Sequence, residues 1–410
     1  MTRARDLMLL DPGAFMSRML RDVDPWSTPV RALHLTELQQ AAKEQPFDIA
    51  FVCMKSYDTE WATTMIAQYL SPNGFVVSLQ NCMNEETIAG VVGWGEAFSN
   101  SSTPVTIPAI AKVVAPLAEG RDPRDIDQLI RELTRRTQSI ARSGPVQFAL
   151  SGLDIALWDI RGKLAGEPVW KLLGGAGKDS LEAYASLYRL TKPEYVAKVA
   201  GEAARRGYRR VKLHEHSVEA VAAARAAVGR DVALMADVNC HWDDVETVVE
   251  FCEGAAPYDL SWLEEPLYPV DRYDLLDALR ARVRTPIAVG ENLGNFEDAR
   301  HLGRSADIVQ PSVAKIGGVS GAWTTIRMLR ERGVKVVPHS PFTGPALVAT
   351  VHLIAAMGED IPCEHRFCDL EASPIGDCVR AFNGRIAVPQ GPGLGFEVDQ
   401  KIIAKYRKDV

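Results

Sequence analysis

The sequence contains no apolar run of the roughly 18 to 20 residues that a membrane span needs. Nor does one sign of charge dominate. There are 46 basic residues against 53 acidic ones and a formal net charge of -7, which leaves no electrostatic footprint for nucleic acid or an anionic membrane. Cysteine is sparse: seven in 410 residues, at positions 53, 82, 240, 252, 363, 368 and 378. None forms a C-x-x-C pair, so neither a disulfide framework nor a structural zinc site is indicated. Met1 to Pro12 holds only the short apolar stretch Leu7–Leu10, too little for a secretory signal. No internal repeat or low-complexity tract is present. What remains, 47% hydrophobic and 24% charged, is the composition of an ordinary globular protein. A cytoplasmic protein with reduced thiols is expected, and homo-oligomerisation is left open. The length suggests two to three domains, or one large barrel with an accessory domain.

From about residue 181 to 367, short apolar or β-branched runs alternate with helical patterns. The strand candidates are Leu181–Tyr188, Arg209–His214, Ala233–Asn239, Leu260–Pro266, Pro286–Asn292, Asp307–Val313, Lys335–Ser340 and Ile361–Phe367. Val218–Val228 and Val245–Cys252 are two of the helical patterns between them. Strands alternating with crossover helices predict an α/β fold, a parallel barrel, with a doubly wound open sheet as the alternative. Upstream, Ile126–Ile140 and Val146–Leu164 read as amphipathic helices. In the second, Leu150, Leu153, Leu157, Ile160 and Leu164 recur at the spacing of one buried face. The first 92 residues carry a small α/β pattern of their own: strands at Leu7–Leu10, Ile49–Cys53 and Phe75–Ser78, and a helix over Thr59–Leu70.

Residues at the C-terminal ends of barrel strands point into the mouth. Three such ends carry acids, Asp237, Glu264 and Glu291, at an equal spacing of 27 residues, one βα unit each. Carboxylates a few ångströms apart repel by roughly 4 kcal/mol per pair at an effective dielectric near 20. A hard divalent cation removes that cost, and Mg²⁺ suits carboxylate oxygens. Lys212 and His214 share a face at the end of the second strand, His339 ends the seventh, and Glu364 lies on the eighth. Three carboxylates and Mg²⁺ sum to -1, and Lys212 restores neutrality. Such a site accepts a small carboxylate substrate. The metal and Lys212 then stabilise the charge of the enediolate formed when a base removes the α-proton.

Taken together, Gly93-Trp94-Gly95-Glu96-Ala97, Ala156-Leu157-Trp158-Asp159, Met235-Ala236-Asp237-Val238-Asn239, Glu264-Glu265-Pro266, Gly290-Glu291-Asn292, Lys315-Ile316-Gly317-Gly318 and Gly391-Pro392-Gly393-Leu394-Gly395 resemble the enolase superfamily, mandelate racemase/muconate lactonizing type. The resemblance covers over three quarters of the chain. It implies a modified TIM barrel, (β/α)₇β, with an α+β capping domain, and Mg²⁺ on Asp237, Glu264 and Glu291. It places His339 as the catalytic histidine and Glu364 as a glutamate that hydrogen-bonds the substrate carboxylate.

Three departures bear on function. The family's Lys-x-Lys is here Lys212-Leu213-His214. The partner of the catalytic histidine, normally an aspartate, is Ser312. A histidine without that carboxylate is a weaker base but still donates a proton. This favours dehydration of a sugar acid, an aldonate or aldarate, by a lyase; racemisation, epimerisation or lactone cycloisomerisation in the same site is the alternative. The third departure is the N-terminus. Phe47 to Tyr57 and Val77 to Asn81 resemble the middle of a ketopantoate reductase nucleotide-binding domain, with Lys55 and Asn81 at its cofactor- or substrate-side positions. The Gly-x-Gly-x-x-Gly turn that cradles a pyrophosphate is lacking. The expected division is therefore a truncated, Rossmann-like reductase segment over 1–92, cap helices without their first strands over 93–175, the barrel over 176–370 and a return to the cap over 371–410. A fusion with an incomplete cap could also be weakly active or inactive, and an NADP-dependent reductase is the remaining reading.

Overall fold

The computed structural model describes residues 47–52, 70–78, 83–88, 91–99, 102–119 and 121–406, with side chains from residue 91 onward. The expected strand Leu7–Leu10, and Lys55 and Asn81, lie outside these, as does the expected helix Thr59–Leu70 apart from Leu70, which opens a strand.

The first sheet holds β1 (Phe47–Val52), β2 (Leu70–Ser78), β3 (Met83–Ile88) and β4 (Val91–Glu96), in that order. β1 and β2 are parallel, as expected of the N-terminal segment. β2, β3 and β4 run antiparallel. The expectation of a wholly parallel unit up to residue 92 is thereby corrected: an antiparallel strand pair leads into the cap helices. The physical reason it escapes the apolar pattern is composition. Met83–Ile88 carries Asn84, Glu85, Glu86 and Thr87 in its middle and forms no apolar run.

Next come α1 (Thr103–Ala109), α2 (Ala115–Ala118), α3 (Ile126–Arg136), α4 (Pro145–Ala165) and α5 (Val169–Leu172). α4 is buried all round rather than on one face. Ser151, Gly152, Asp154, Ala156 and Asp159 are as buried as Leu150, Leu153, Leu157 and Ile160, while Leu164 is 49% exposed. β4 lies directly on α4. A Cβ at Gly93 or Gly95 would collide with the carbonyl oxygens of Ala156 and Gly152, so only glycine permits this approach. Asp159 locks the seam. Its Oδ2 accepts the Trp94 amide at 2.9 Å and lies 2.9 Å from Lys163 Nζ, and its Oδ1 accepts the Leu394 amide at 2.8 Å. Three of the motifs quoted above thus meet at one carboxylate. Asp154 similarly accepts the Ser320 amide at 2.9 Å, and Ser151 Oγ accepts the Gly317 amide at 2.9 Å, docking the Lys315–Gly318 turn on α4.

The barrel strands are β5 (Ser180–Ser186), β6 (Arg210–Leu213), β7 (Ala233–Asp237), β8 (Leu260–Glu264), β9 (Ile287–Val289), β10 (Ile308–Val309), β11 (Lys335–Val336) and β12 (Cys363–Arg366). Seven fall within the expected segments, and β5 starts one residue before its own, at Ser180. They pair in parallel in chain order from β5 to β11, and β12 returns to pair with β5. Seven helices separate them: α6 (Pro193–Arg205), α7 (Val218–Val228), α8 (Val245–Ala255), α9 (Tyr273–Arg280), α10 (Phe296–Ser305), α11 (Gly318–Glu331) and α12 (Pro345–Met357). This is the (β/α)₇β architecture and not the doubly wound sheet. Side-chain caps start several of these helices: Ser217, Asp244 and Asn295 accept the amides of Ala220, Thr247 and Asp298. After β12, β13 (Ala381–Phe382) and β14 (Arg385–Ala387) form a hairpin, β14 pairing antiparallel with β5, before α13 (Gln400–Tyr406). Among the described residues no helix is long and apolar enough to cross a membrane.

Candidate active site

β7 and β8 end on Asp237 and Glu264, which stand opposite each other in parallel register. Glu291 follows β9 across the left-handed Gly290 (φ 122°). One oxygen from each of the three carboxylates lies within 4.8 Å of the others. Asp237 and Glu264 are fully buried.

Lys212, fully buried on β6, threads into this cluster. Its Nζ lies 2.6 Å from Glu264 Oε1, 2.9 Å from Glu364 Oε1 and 3.1 Å from Asp237 Oδ2. Burial opposes the ammonium, but Glu264, Glu364 and Asp237 together hold its pKa well above the ordinary lysine value. Burial likewise works to raise Asp237, yet Lys212 and His214 overcome it and keep the carboxyl well below the usual range. Glu364 is held low against its burial by Lys212 and His339. At Glu264 burial prevails, and its carboxyl is pushed well above the ordinary value.

Two imidazoles flank the carboxylates. His214 Nε2 is 3.1 Å from Asp237 Oδ2, and His339 Nε2 is 2.9 Å from Glu291 Oε2. The Nδ1 atom of each is buried without a hydrogen-bond partner. Ser312 lies opposite His339 in a backbone bridge, and its Oγ is also unpartnered. Among the described residues no carboxylate orients His339 through Nδ1. Glu364 completes the floor, its Oε2 accepting the Ser340 amide at 2.7 Å. The structure therefore gathers Lys212, His214, Asp237, Glu264, Glu291, His339 and Glu364 at one mouth.

Other residues shape the site and were not singled out from the sequence. Glu265, at φ 45°, turns out of the strand and accepts the amides of Gly290 and Glu291 at 2.8 and 3.2 Å, fixing the backbone that presents Glu291. Burial, reinforced by Glu291, pushes its pKa up to about 7. Its signal lay in the Glu-Glu-Pro triplet: the strand period allows only one of two adjacent acids inside the barrel. Trp262 Nε1 and Gln310 Nε2 donate to Glu264 Oε2 at 3.0 and 2.9 Å, and Asn239 donates to Asp237 Oδ1 at 2.9 Å. Lys315 Nζ sits 3.1 Å from Asn292 Oδ1 and 4.2 Å from the ring centroid of Phe98, so a residue of the cap reaches the mouth.

Fold and site together define a class: capped α/β-barrel enzymes with acids at the ends of three successive strands. The chain belongs to the enolase superfamily. The family model described as "Enolase C-terminal domain-like" matches residues 194–402, and that of the "Mandelate racemase / muconate lactonizing enzyme, N-terminal domain" matches residues 82–174. The model "Ketopantoate reductase PanE/ApbA" matches residues 20–99, overlapping the cap match. Among curated relatives, the D-galactarolactone cycloisomerase of Agrobacterium fabrum is 30% identical over 339 residues, covering 78% of this chain and 88% of its own. The L-talarate/galactarate dehydratase of Salmonella typhimurium is 32% identical over 324 residues, covering 76% of this chain and 78% of its own. Among solved structures, the 3,6-anhydro-D-galactonate cycloisomerase from Zobellia galactanivorans superposes with a TM-score of 0.72 at 30% identity, over 80% of this chain and 94% of that one.

Proposed function

We propose that this protein is a hydro-lyase that dehydrates a sugar acid, removing the proton α to its carboxylate. One observation carries the reading: three clustered carboxylates with an imidazole Nε2 against Asp237 on one side and another against Glu291 on the other. The donor set of Asp237, Glu264 and Glu291 is all hard oxygen, with no thiolate, and suits Mg²⁺. When bound there, the cation supplies positive charge facing the substrate carboxylate.

The chain's own residues do the rest. Lys212 is held as an ammonium by three carboxylates, so it contributes charge and hydrogen bonds rather than taking a proton. His214, beside it on the same strand end and partly open to the mouth, is the base that takes the C2 proton. His339, with no carboxylate on Nδ1, is the acid. It gives its proton to the C3 hydroxyl, the C–O bond breaks, water leaves, and the enol left behind tautomerises to a 2-keto-3-deoxy acid. Glu364, fixed by the Ser340 amide, holds the Lys212 ammonium, which donates to the substrate carboxylate.

A second reading, lactone cycloisomerisation, is favoured by one of the relatives just described, the D-galactarolactone cycloisomerase. It uses the same proton abstraction without loss of water. For domains, we read residues 1–92 as a reductase-derived segment, 93–175 as the cap, 176–370 as the barrel and 371–410 as the return. The overlap of two family models at residues 82–99 supports a junction within that stretch.

The test is a panel of sugar acids with Mg²⁺ in deuterated water. A 2-keto-3-deoxy acid should appear, and His339→Asn should stop water loss while α-proton exchange continues. His214→Asn should stop both. Exchange that survives in His214→Asn and stops in His339→Asn would reverse the roles. Release of a keto acid from the lactones of the panel, with the open-chain acids left unchanged, would establish the cycloisomerase.

A further inference from the structure

Three consecutive loops at the mouth each present a basic side chain that the proposed chemistry leaves unused. Arg189 follows β5, His216 follows β6 and His241 follows β7, and all three are exposed. His216 and His241 stack face to face, centroids 3.9 Å apart and planes 13° from parallel. The Arg189 guanidinium donates to the His214 carbonyl at 3.1 Å and to Asn239 Oδ1 at 3.4 Å. Both of those residues touch Asp237, so the guanidinium stands one residue from the reaction centre. Glu215, next to His216 in sequence, faces the other way: it is buried and accepts the amides of Leu190 and Thr191 at 2.6 and 3.0 Å. Among the described residues no carboxylate pairs with Arg189, His216 or His241.

The backbone beneath these side chains is held in an uncommon conformation. Thr191, Asn239 and Cys240 all lie in the left-handed region, at φ 66°, 48° and 56°, without being glycine. Side chains and amides from neighbouring loops maintain it: Glu215 takes the Thr191 amide, and the Cys240 amide donates to the Glu265 carbonyl at 2.7 Å. Strained loops held this way cluster where a ligand must be met in a fixed geometry. Burial first, then the neighbouring His216 and Arg189, lowers the pKa of His241.

We propose that Arg189, His216 and His241 form a subsite for a second anionic group at the far end of the substrate. This rests on the sugar-acid reading and narrows it: the preferred acid is a dianion, with a carboxylate or phosphate remote from the C–H bond that breaks. Planar bidentate binding of such a group suits a guanidinium with free donors, and the paired imidazoles add donors on one side.

The experiment is calorimetric binding to the Mg²⁺-loaded protein. The probes are hexonates, the hexarates of the same configuration, and the corresponding 6-phosphohexonates. The best ligand should be a dianion. Arg189→Leu, and separately the double change His216→Ala with His241→Ala, should weaken it about 10- to 100-fold and collapse its advantage over the matching hexonate. Arg189→Lys should recover part of the loss, and circular dichroism controls for folding. The hexarate and phosphohexonate arms tell which anion the rim takes. A panel in which no dianion binds more tightly than its hexonate, or an advantage that survives Arg189→Leu, overturns the proposal. Deuterium exchange on the same ligands is read separately. A dianion held by the rim yet never exchanged would sink the dehydratase reading and leave the subsite standing.

Discussion

Two regions of this molecule bury acids, and they do so by different means. At the mouth, Asp237, Glu264 and Glu364 surround the Lys212 ammonium, with His214 and His339 at the edges. In the seam around α4, Asp154 and Asp159 are held chiefly by backbone amides, from Ser320 and from Trp94 and Leu394, with the Lys163 ammonium beside Asp159. An acid bound to amides ties two chain segments together and has nothing to exchange. An acid bound to side-chain cations can trade them for another cation or for substrate. Both kinds sit inside the same family motifs, so a motif match alone does not tell catalysis from architecture.

The largest expected effect lies at the mouth. Asp237→Asn or Glu264→Gln should lower α-proton exchange by at least about 10³-fold, since the charge that stabilises the developing anion goes with the carboxylate. Their melting temperatures should no longer respond to Mg²⁺ or chelator, as the parent's should. A parent indifferent to chelator would break the comparison. Next, Lys212→Met leaves three buried carboxylates uncompensated and should destabilise the metal-free protein by about 3 to 5 kcal/mol in denaturant melts. Mg²⁺ should return part of that loss. Asp159→Asn should cost less, about 1 to 3 kcal/mol for the weakened amide acceptors, and by the same amount with and without Mg²⁺. A Mg²⁺-dependent loss there would show that seam and mouth are coupled.

The smallest effect is one of pH. Burial raises Asp154 from 3.8 to about 7, and its Oδ2 has no partner. The folded state therefore binds the Asp154 proton more tightly than the unfolded chain does. That contribution to stability is complete below pH 3.8 and is lost as the pH rises through about 7. Asp154→Asn removes the titration, so its stability relative to the parent should improve between pH 5 and pH 8, on the order of 2 kcal/mol. A flat difference between the two proteins over that range would mean that Asp154 is ionised throughout.

The barrel was legible because β/α alternation leaves a strong pattern, and the triad because equal spacing of Asp237, Glu264 and Glu291 maps onto successive strands. Lys212 and His214 were legible from the period of two. The antiparallel strand Met83–Ile88 was not, since its polar middle gives no apolar signal. Nor was the all-round burial of α4. Its small and polar residues are paired with amides of distant segments, and such partners are invisible along the chain. Glu265 was hidden for a related reason: its work is to hold a loop backbone 25 residues away.

Lys212 also bears on how the barrel closes. A barrel closing on bare carboxylates would have to wait for an ion before its strands could meet. An ammonium built into β6 supplies that compensating charge from within the chain. A cation drawn to these carboxylates would then meet architecture already closed around the ammonium.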